Sequence, residues 1–313
     1  MLLIKLKNDK MVCELAPEMG GAIYSFSALT ENGLQPLMRP TFGEDAYKIV
    51  DFSSWPLVPF SNRIKHGKFS FNGEKYRVPI TWLGPPGHAS HGHGWERPWE
   101  ITSQSATHCD LAFSFADKVI WPFPYSAQQQ FKLDDKGLHL RLSLTNTGDK
   151  PMPAGVGIHP YFPRTDGTTL QAKVEHLWEI DEETIPSHRI AVPPHYDFEK
   201  AKSVDNTRLD HCFDGYGGTM EITWPNQPYK LRTTSSQNLK HFVVYTPEGE
   251  NFFCAEPISH MPDAINRMDK MDTGLVVLNP GETVVAEYLF EAIPIRNDAS
   301  LKQSPRAGVA PKA

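Results

Sequence analysis

Five short clusters carry the side chains in this sequence that are able to do chemistry. Asn62 and Arg63 stand in SNRI. An amide beside a guanidinium fork can hold several hydroxyls or a carboxylate. His88, His91 and His93 fall within the Gly-rich stretch HASHGHGWER. Neutral imidazole donates or accepts a hydrogen bond near pH 7 and also ligates metals. On one strand, His91 and His93 would share a face, which suits two hydroxyl contacts or two metal ligands. His159 follows the small and apolar run AGVGI and precedes Pro160, Tyr161 and Phe162. Burial there keeps an imidazole responsive to its neighbours, as a general acid requires. Asp210 opens DHCF, and Glu256 follows the apolar run FFCA. Partial burial would lift that carboxyl above the usual value of about 4.3 and make it a better base.

Each cluster also has a plain structural alternative. Asn62 and Arg63 also read as a surface turn with an ion pair, and the three histidines as a solvated loop. His159 reads as a hydrogen-bonded core residue, Glu256 as a solvated strand end, and Asp210 as an exposed turn acid. The elements that must position them are strands. Leu138, Leu140, Leu142 and Leu144 alternate with polar residues, the pattern of a half-buried antiparallel strand. Asn72 and Gly73 separate two strand-like runs in 68–78 and predict a hairpin. Further strands are expected over 21–28, 110–115, 127–133, 220–224, 229–234, 241–245, 275–278 and 283–291. The 27 prolines and 22 glycines leave little room for long helices, and only 262–268 and a few similar stretches suit a helical turn. Many short, evenly spaced strands predict an all-β sandwich or barrel. One domain is expected over 1–295, followed by a flexible tail over 296–313 that is poor in large apolar residues.

Composition narrows the function classes. The 313 residues are 40% hydrophobic and 22% charged, which argues for a packed core rather than disorder. A formal net charge of -6 argues against sequence-independent nucleic-acid binding. The four cysteines, Cys13, Cys109, Cys212 and Cys254, form no C-x-x-C pair, so free thiols in a reducing compartment are expected. The opening apolar run is broken by Lys5 and Lys7, and no apolar stretch reaches membrane-spanning length. A cytoplasmic location and no membrane partner are expected.

Taken together, Asn62-Arg63, His91-Gly92 followed by an aromatic, His159-x-Tyr161-Phe162, Asp210-His-x-Phe213 and a strand-borne Glu256 resemble the aldose 1-epimerase (galactose mutarotase) family in order and rough spacing. SNRIKHGKFSFNGEKY and WPFPYSAQQQFKL are similar to segments of that family. The likeness runs from about residue 15 to residue 292. It implies the family's large antiparallel β-sandwich, the supersandwich, and a free aldose such as glucose or galactose as substrate. No metal and no other cofactor are implied. Glu256 would match the catalytic base and His159 the catalytic acid, entering protonated. Asn62, Arg63, His91 and Asp210 would match the sugar-binding positions, with His91 near the ring oxygen. Pro163, Pro247 and the Ala-Glu-Pro context of Glu256 depart from many relatives and leave the preferred sugar open. Trp55, Trp82, Trp95 and Trp121 could offer a flat face to a sugar or simply pack in the core.

Three other functions compete. His91, His93, Glu96 and His159 resemble the metal ligands of a cupin, with the spacing off by one residue in both motifs. A non-catalytic sugar-binding sandwich would need the hydroxyl contacts without both Glu256 and His159. A hexose-phosphate 1-epimerase would use Arg63, Lys65 and Arg97 for the phosphate. Monomer and homodimer both remain open, since exposed strand edges can pair either way.

Overall fold

A computed structural model of the chain describes residues 1–41, 48–81, 87–205 and 207–295. The expected tail and Trp82 lie outside the described residues. Almost every described element is a strand, and the helical pieces are single 3-10 turns such as Ala264–Asn266. The strands fall close to where alternation places them. The leucine strand runs Leu138–Asn146, and its neighbours are Tyr125–Leu133 and Thr283–Pro294. Asn72 and Gly73 take positive φ, 49° and 80°, and join Lys68–Phe71 to Glu74–Arg77. That conformation matches the twist of a two-residue hairpin, and it is why Asn-Gly signals one.

Two large sheets set the architecture. A nine-stranded antiparallel sheet runs from Glu100–Gln104 through the leucine strand to Lys202–Ser203. An eight-stranded sheet includes, in order, Asp210–Asp214, His241–Tyr245, Phe252–Ile258, Gly157–Ile158 and Pro56–Leu57. Their apolar faces share one core, in which Leu140, Leu142 and Phe290 of the first join Phe213, Phe242 and Phe253 of the second. The Tyr288 hydroxyl spans the two sheets, donating to the Pro257 carbonyl at 3.1 Å.

The eight-stranded sheet is covered on its other side as well. Along Phe252–Ile258, Phe253 and Ala255 enter the inter-sheet core, while Cys254 and Ile258 join a second cluster with Phe52, Trp55, Tyr161 and Trp178. Period two therefore turns Glu256 to this second side. Strand register builds rows across it. Tyr161 and Tyr245 both pair with Cys254, and Tyr245 pairs with Asp210. One step along, Glu256 pairs with Val243, and Val243 with Cys212.

Candidate active site

A cavity of about 620 Å³ opens on this second face. Its lining includes Asn62, Arg63, His91, His159, Asp210 and Glu256, the six candidates from separate stretches of the sequence. Glu256 is 2% exposed, and its Oε1 lies 3.4 Å from His159 Nε2. His159 arrives on the bend between Gly157–Ile158 and Tyr161–Pro163, where its N–H donates to the Trp55 carbonyl at 2.9 Å. Trp55 stacks on the imidazole at 4.3 Å and on Trp95 at 4.9 Å, and both indoles line the cavity. Trp121 instead packs in the core against Phe60, Phe69 and Phe123.

Two loops deliver the polar rim. Asn62 and His91 both hold positive φ, 56° and 63°, and their backbones interlock. The His91 N–H donates to the Asn62 carbonyl at 2.8 Å, and the Asn62 N–H donates to His91 Nδ1 at 3.2 Å. With Nδ1 accepting, a neutral His91 carries its proton on Nε2. Burial, with Arg63 close by, lowers His91 to about 3, so it is neutral and a fixed donor. Arg63 Nη2 meets Asp210 Oδ2 at 2.8 Å, a pair that sets the guanidinium across the cavity wall.

His91 and His93 do not share a face. Only Ala89–Ser90 is extended there, and His91 and Gly92 both turn through positive φ. A Cβ on Gly92 would sit 2.1 Å from the Val58 carbonyl oxygen, so the turn requires glycine. His93 is thereby sent into the core, stacked on Phe115 at 4.7 Å and lowered by burial to about 4. Glu96 is exposed, and neither it nor His93 lines the cavity. The cupin-like ligand set is not assembled. Lys65 and Arg97 also lie off the cavity lining, and Lys65 pairs with Asp181 and Glu183.

Burial dominates the electrostatics of the Glu256–His159 pair. It pushes the Glu256 carboxyl well above the ordinary range, with the Asp210 charge adding and Arg63 opposing. It pushes His159 well below the ordinary imidazole range, with His91 adding. The two groups therefore hold one proton between them around neutral pH. Those shifts leave that proton on the Glu256 carboxyl and the His159 imidazole neutral, whereas the family resemblance implied a His159 that enters protonated. Glu256 Oε2 and His159 Nδ1 are buried without a hydrogen-bond partner among the described residues.

Sequence reasoning missed two contributors. Arg39 stacks over Tyr161 and Phe252 at 4.0 and 4.6 Å and lines the cavity. Nothing in its local sequence marks it. His260 accepts the Ser61 N–H at 3.0 Å and donates to the Met261 carbonyl at 2.7 Å, bracing the 61–63 loop from beneath. Its nearness to Glu256 in sequence was the one available signal.

Comparison with known proteins bears on the family and the fold. The family model described as "Aldose 1-epimerase" matches residues 2–291. The uncharacterized protein YphB of Escherichia coli K12 is 31% identical over 280 residues, which cover 86% of this chain and 92% of YphB. A crystal structure of an Escherichia coli K12 protein, provisionally named an aldose 1-epimerase, superposes with a TM-score of 0.84 at 27% identity, covering 94% of this chain and 99% of that one. A galactose mutarotase-like protein from Clostridium acetobutylicum has the same fold, with a TM-score of 0.82 at 18% identity and coverage of 94% and 95%. No helix among the described residues is long and apolar enough to cross a membrane.

Proposed function

The chain belongs to the aldose 1-epimerase family, and from that premise we propose that it interconverts the α and β anomers of a free aldose by opening and closing the sugar ring. The reaction needs two proton movements, off the C1 hydroxyl and onto the ring oxygen. The shared proton first passes from the Glu256 carboxyl to His159 across their 3.4 Å contact. Glu256 as carboxylate then takes the C1 hydroxyl proton, and His159 as imidazolium supplies the ring oxygen with its own. The ring C1–O5 bond breaks, the aldehyde turns about C1–C2, and the reverse transfers close the ring on either face. The pair regains its single proton at the end of each cycle.

The observation that carries this reading is the 3.4 Å contact of Glu256 with His159 at the cavity wall, each with a second polar atom unpartnered. A buried carboxyl without a partner costs stability, and a sugar supplies hydroxyls to offset that cost. Arg63, held by Asp210, and the Nε2–H of His91 fix the sugar's oxygens so that the reacting atoms stay in register. Each positioned acid or base contributes roughly 10²–10⁴-fold. Glucose and galactose are the first substrates to test.

The test is polarimetry of freshly dissolved α-glucose and α-galactose, with chelator present. Accelerated decay of rotation by the wild type, lost in Glu256→Gln, is the expected result. A Glu256→Gln protein that mutarotates at the wild-type rate would overturn the assignment.

A further inference from the structure

Cys254 occupies the position between Phe252 and Glu256 on the cavity side of its strand, and its thiol has no part in the proton transfers above. One ligand atom from each of His159, Cys254 and Glu256 lies within 4.8 Å of the other two, and all three residues are buried. We propose that a borderline-soft divalent cation, with Zn²⁺ as the probe, binds His159, Cys254 and Glu256 from the cavity side and blocks ring opening.

Geometry supports the site. A tetrahedral Zn²⁺ with bonds of about 2.0–2.3 Å holds its ligand atoms roughly 3.3–3.7 Å apart. His159 Nε2 and Glu256 Oε1 already stand 3.4 Å apart, and the thiol is the third donor of a group whose ligand atoms all lie within 4.8 Å of one another. The rows that fix these donors are strand register. Tyr161, two residues beyond His159, pairs directly with Cys254, and Glu256 follows two residues along the same strand. The cavity leaves the fourth coordination position open to water.

Charge selects the ion. A thiolate and a carboxylate neutralise a dication, so the filled site carries no net charge into a buried setting. Binding sends two protons to solvent, one from the thiol and one shared by the Glu256–His159 pair. Mg²⁺ and Ca²⁺ require six or more oxygen ligands in about this coordination sphere, and this site offers one carboxylate. Mixed imidazole, thiolate and carboxylate donors suit Zn²⁺. The occupied site removes both the base and the acid of the proposed reaction, so the ion acts as an inhibitor competitive with sugar.

The experiment uses the whole chain, freed of metal by chelator and then titrated with Zn²⁺ or Mg²⁺ under calorimetry and polarimetry. One Zn²⁺ per chain should bind and stop mutarotation, while Mg²⁺ at the same concentration leaves the rate unchanged. Cys254→Ala should keep a metal-free rate close to wild type. It should weaken Zn²⁺ by more than the roughly 10–100-fold that an outer-sphere change costs. Should that variant fail to fold, Co²⁺ added to the wild type decides the point. A near-ultraviolet thiolate-to-cobalt charge-transfer band supports the site. Absence of Zn²⁺ binding, unchanged Zn²⁺ affinity in Cys254→Ala, or Co²⁺ binding without that band overturns it. Only the rate measurement rests on the mutarotase reading. If no sugar is turned over, the calorimetry and the cobalt band still decide the metal site.

Discussion

Asn146 and Glu256 are buried almost equally, at 1% and 2% exposure, yet they are treated in opposite ways. Asn146 ends the leucine strand of the nine-stranded sheet, and its amide is fully used. Nδ2 donates to the Lys150 and Leu278 carbonyls, each at 2.8 Å, and Oδ1 accepts the Gly148 N–H at 2.9 Å. Glu256 belongs to the eight-stranded sheet and leaves Oε2 without a partner. Asn146 serves the fold and is satisfied by it. Glu256 is left open at the cavity wall, at a cost in stability that the rest of the molecule offsets. The nine-stranded sheet thus acts as the platform, and the second face of the eight-stranded sheet as the working surface.

Substitution at these two positions should separate activity from stability. Glu256→Gln is expected to lower kcat by roughly 10²–10⁴-fold while leaving the melting temperature unchanged or higher. Asn146→Ala should do the reverse. Stranding two carbonyls and an N–H costs about 2–4 kcal/mol, whereas the folded fraction keeps its kcat/KM. Denaturant melts and polarimetry on both variants check the pair of outcomes, and a stability loss in Glu256→Gln as large as in Asn146→Ala would erase the contrast.

The two neighbouring histidines sharpen it further. His91→Ala removes the Nε2–H donor at the cavity and should lower kcat/KM by roughly 10-fold, about 1.4 kcal/mol for one hydrogen bond. His93→Phe replaces a core imidazole by the ring type it already stacks upon. Its Nδ1 is buried without a partner, so kinetics should stay at wild type and stability hold or rise. Equal kinetic damage from both would show that His93 reaches the substrate.

Two pH experiments read the shared proton. Because Glu256 is raised and His159 lowered, the one-proton state spans neutral pH, and kcat/KM should be flat there. It should fall on the acid side below the ordinary imidazole value, and on the alkaline side above the ordinary carboxylate value. A narrow bell centred between about 4.3 and 6.5 would mean that the two groups titrate independently. The smaller effect is on stability. A raised carboxyl pKa contributes stability that is complete below about pH 4.3 and is lost as the pH rises from there through the folded value. Glutamine does not titrate. The melting temperature of Glu256→Gln relative to wild type should therefore climb between pH 4 and pH 8, as thermal melts across that range would show.

Much of the frame was legible because it is local. Alternation of two along 138–144 and Asn-Gly at 72–73 each follow from the chain's own geometry, and the structure departs from those expectations by a residue or two at strand ends. The six candidate site residues were legible only as a set, through family resemblance, since each also had a structural explanation alone. His91 and His93 show where local reading fails. Period two put them on one face, and a left-handed pair at His91 and Gly92, packed against the Val58 carbonyl, sent them to opposite environments.

What the sequence by itself determined is the strand inventory, the all-β class and the types of side chain available for chemistry, because backbone periodicity and turn propensity act over a few residues. Only the tertiary structure decided which of those side chains meet. Strand register across the eight-stranded sheet sets Tyr161, Cys254, Tyr245 and Asp210 in one row with Glu256 in the next. Burial then fixes how many protons the Glu256–His159 pair can hold. Both depend on contacts between segments far apart in the chain, and no spacing along the sequence encodes the desolvation that tunes the pair.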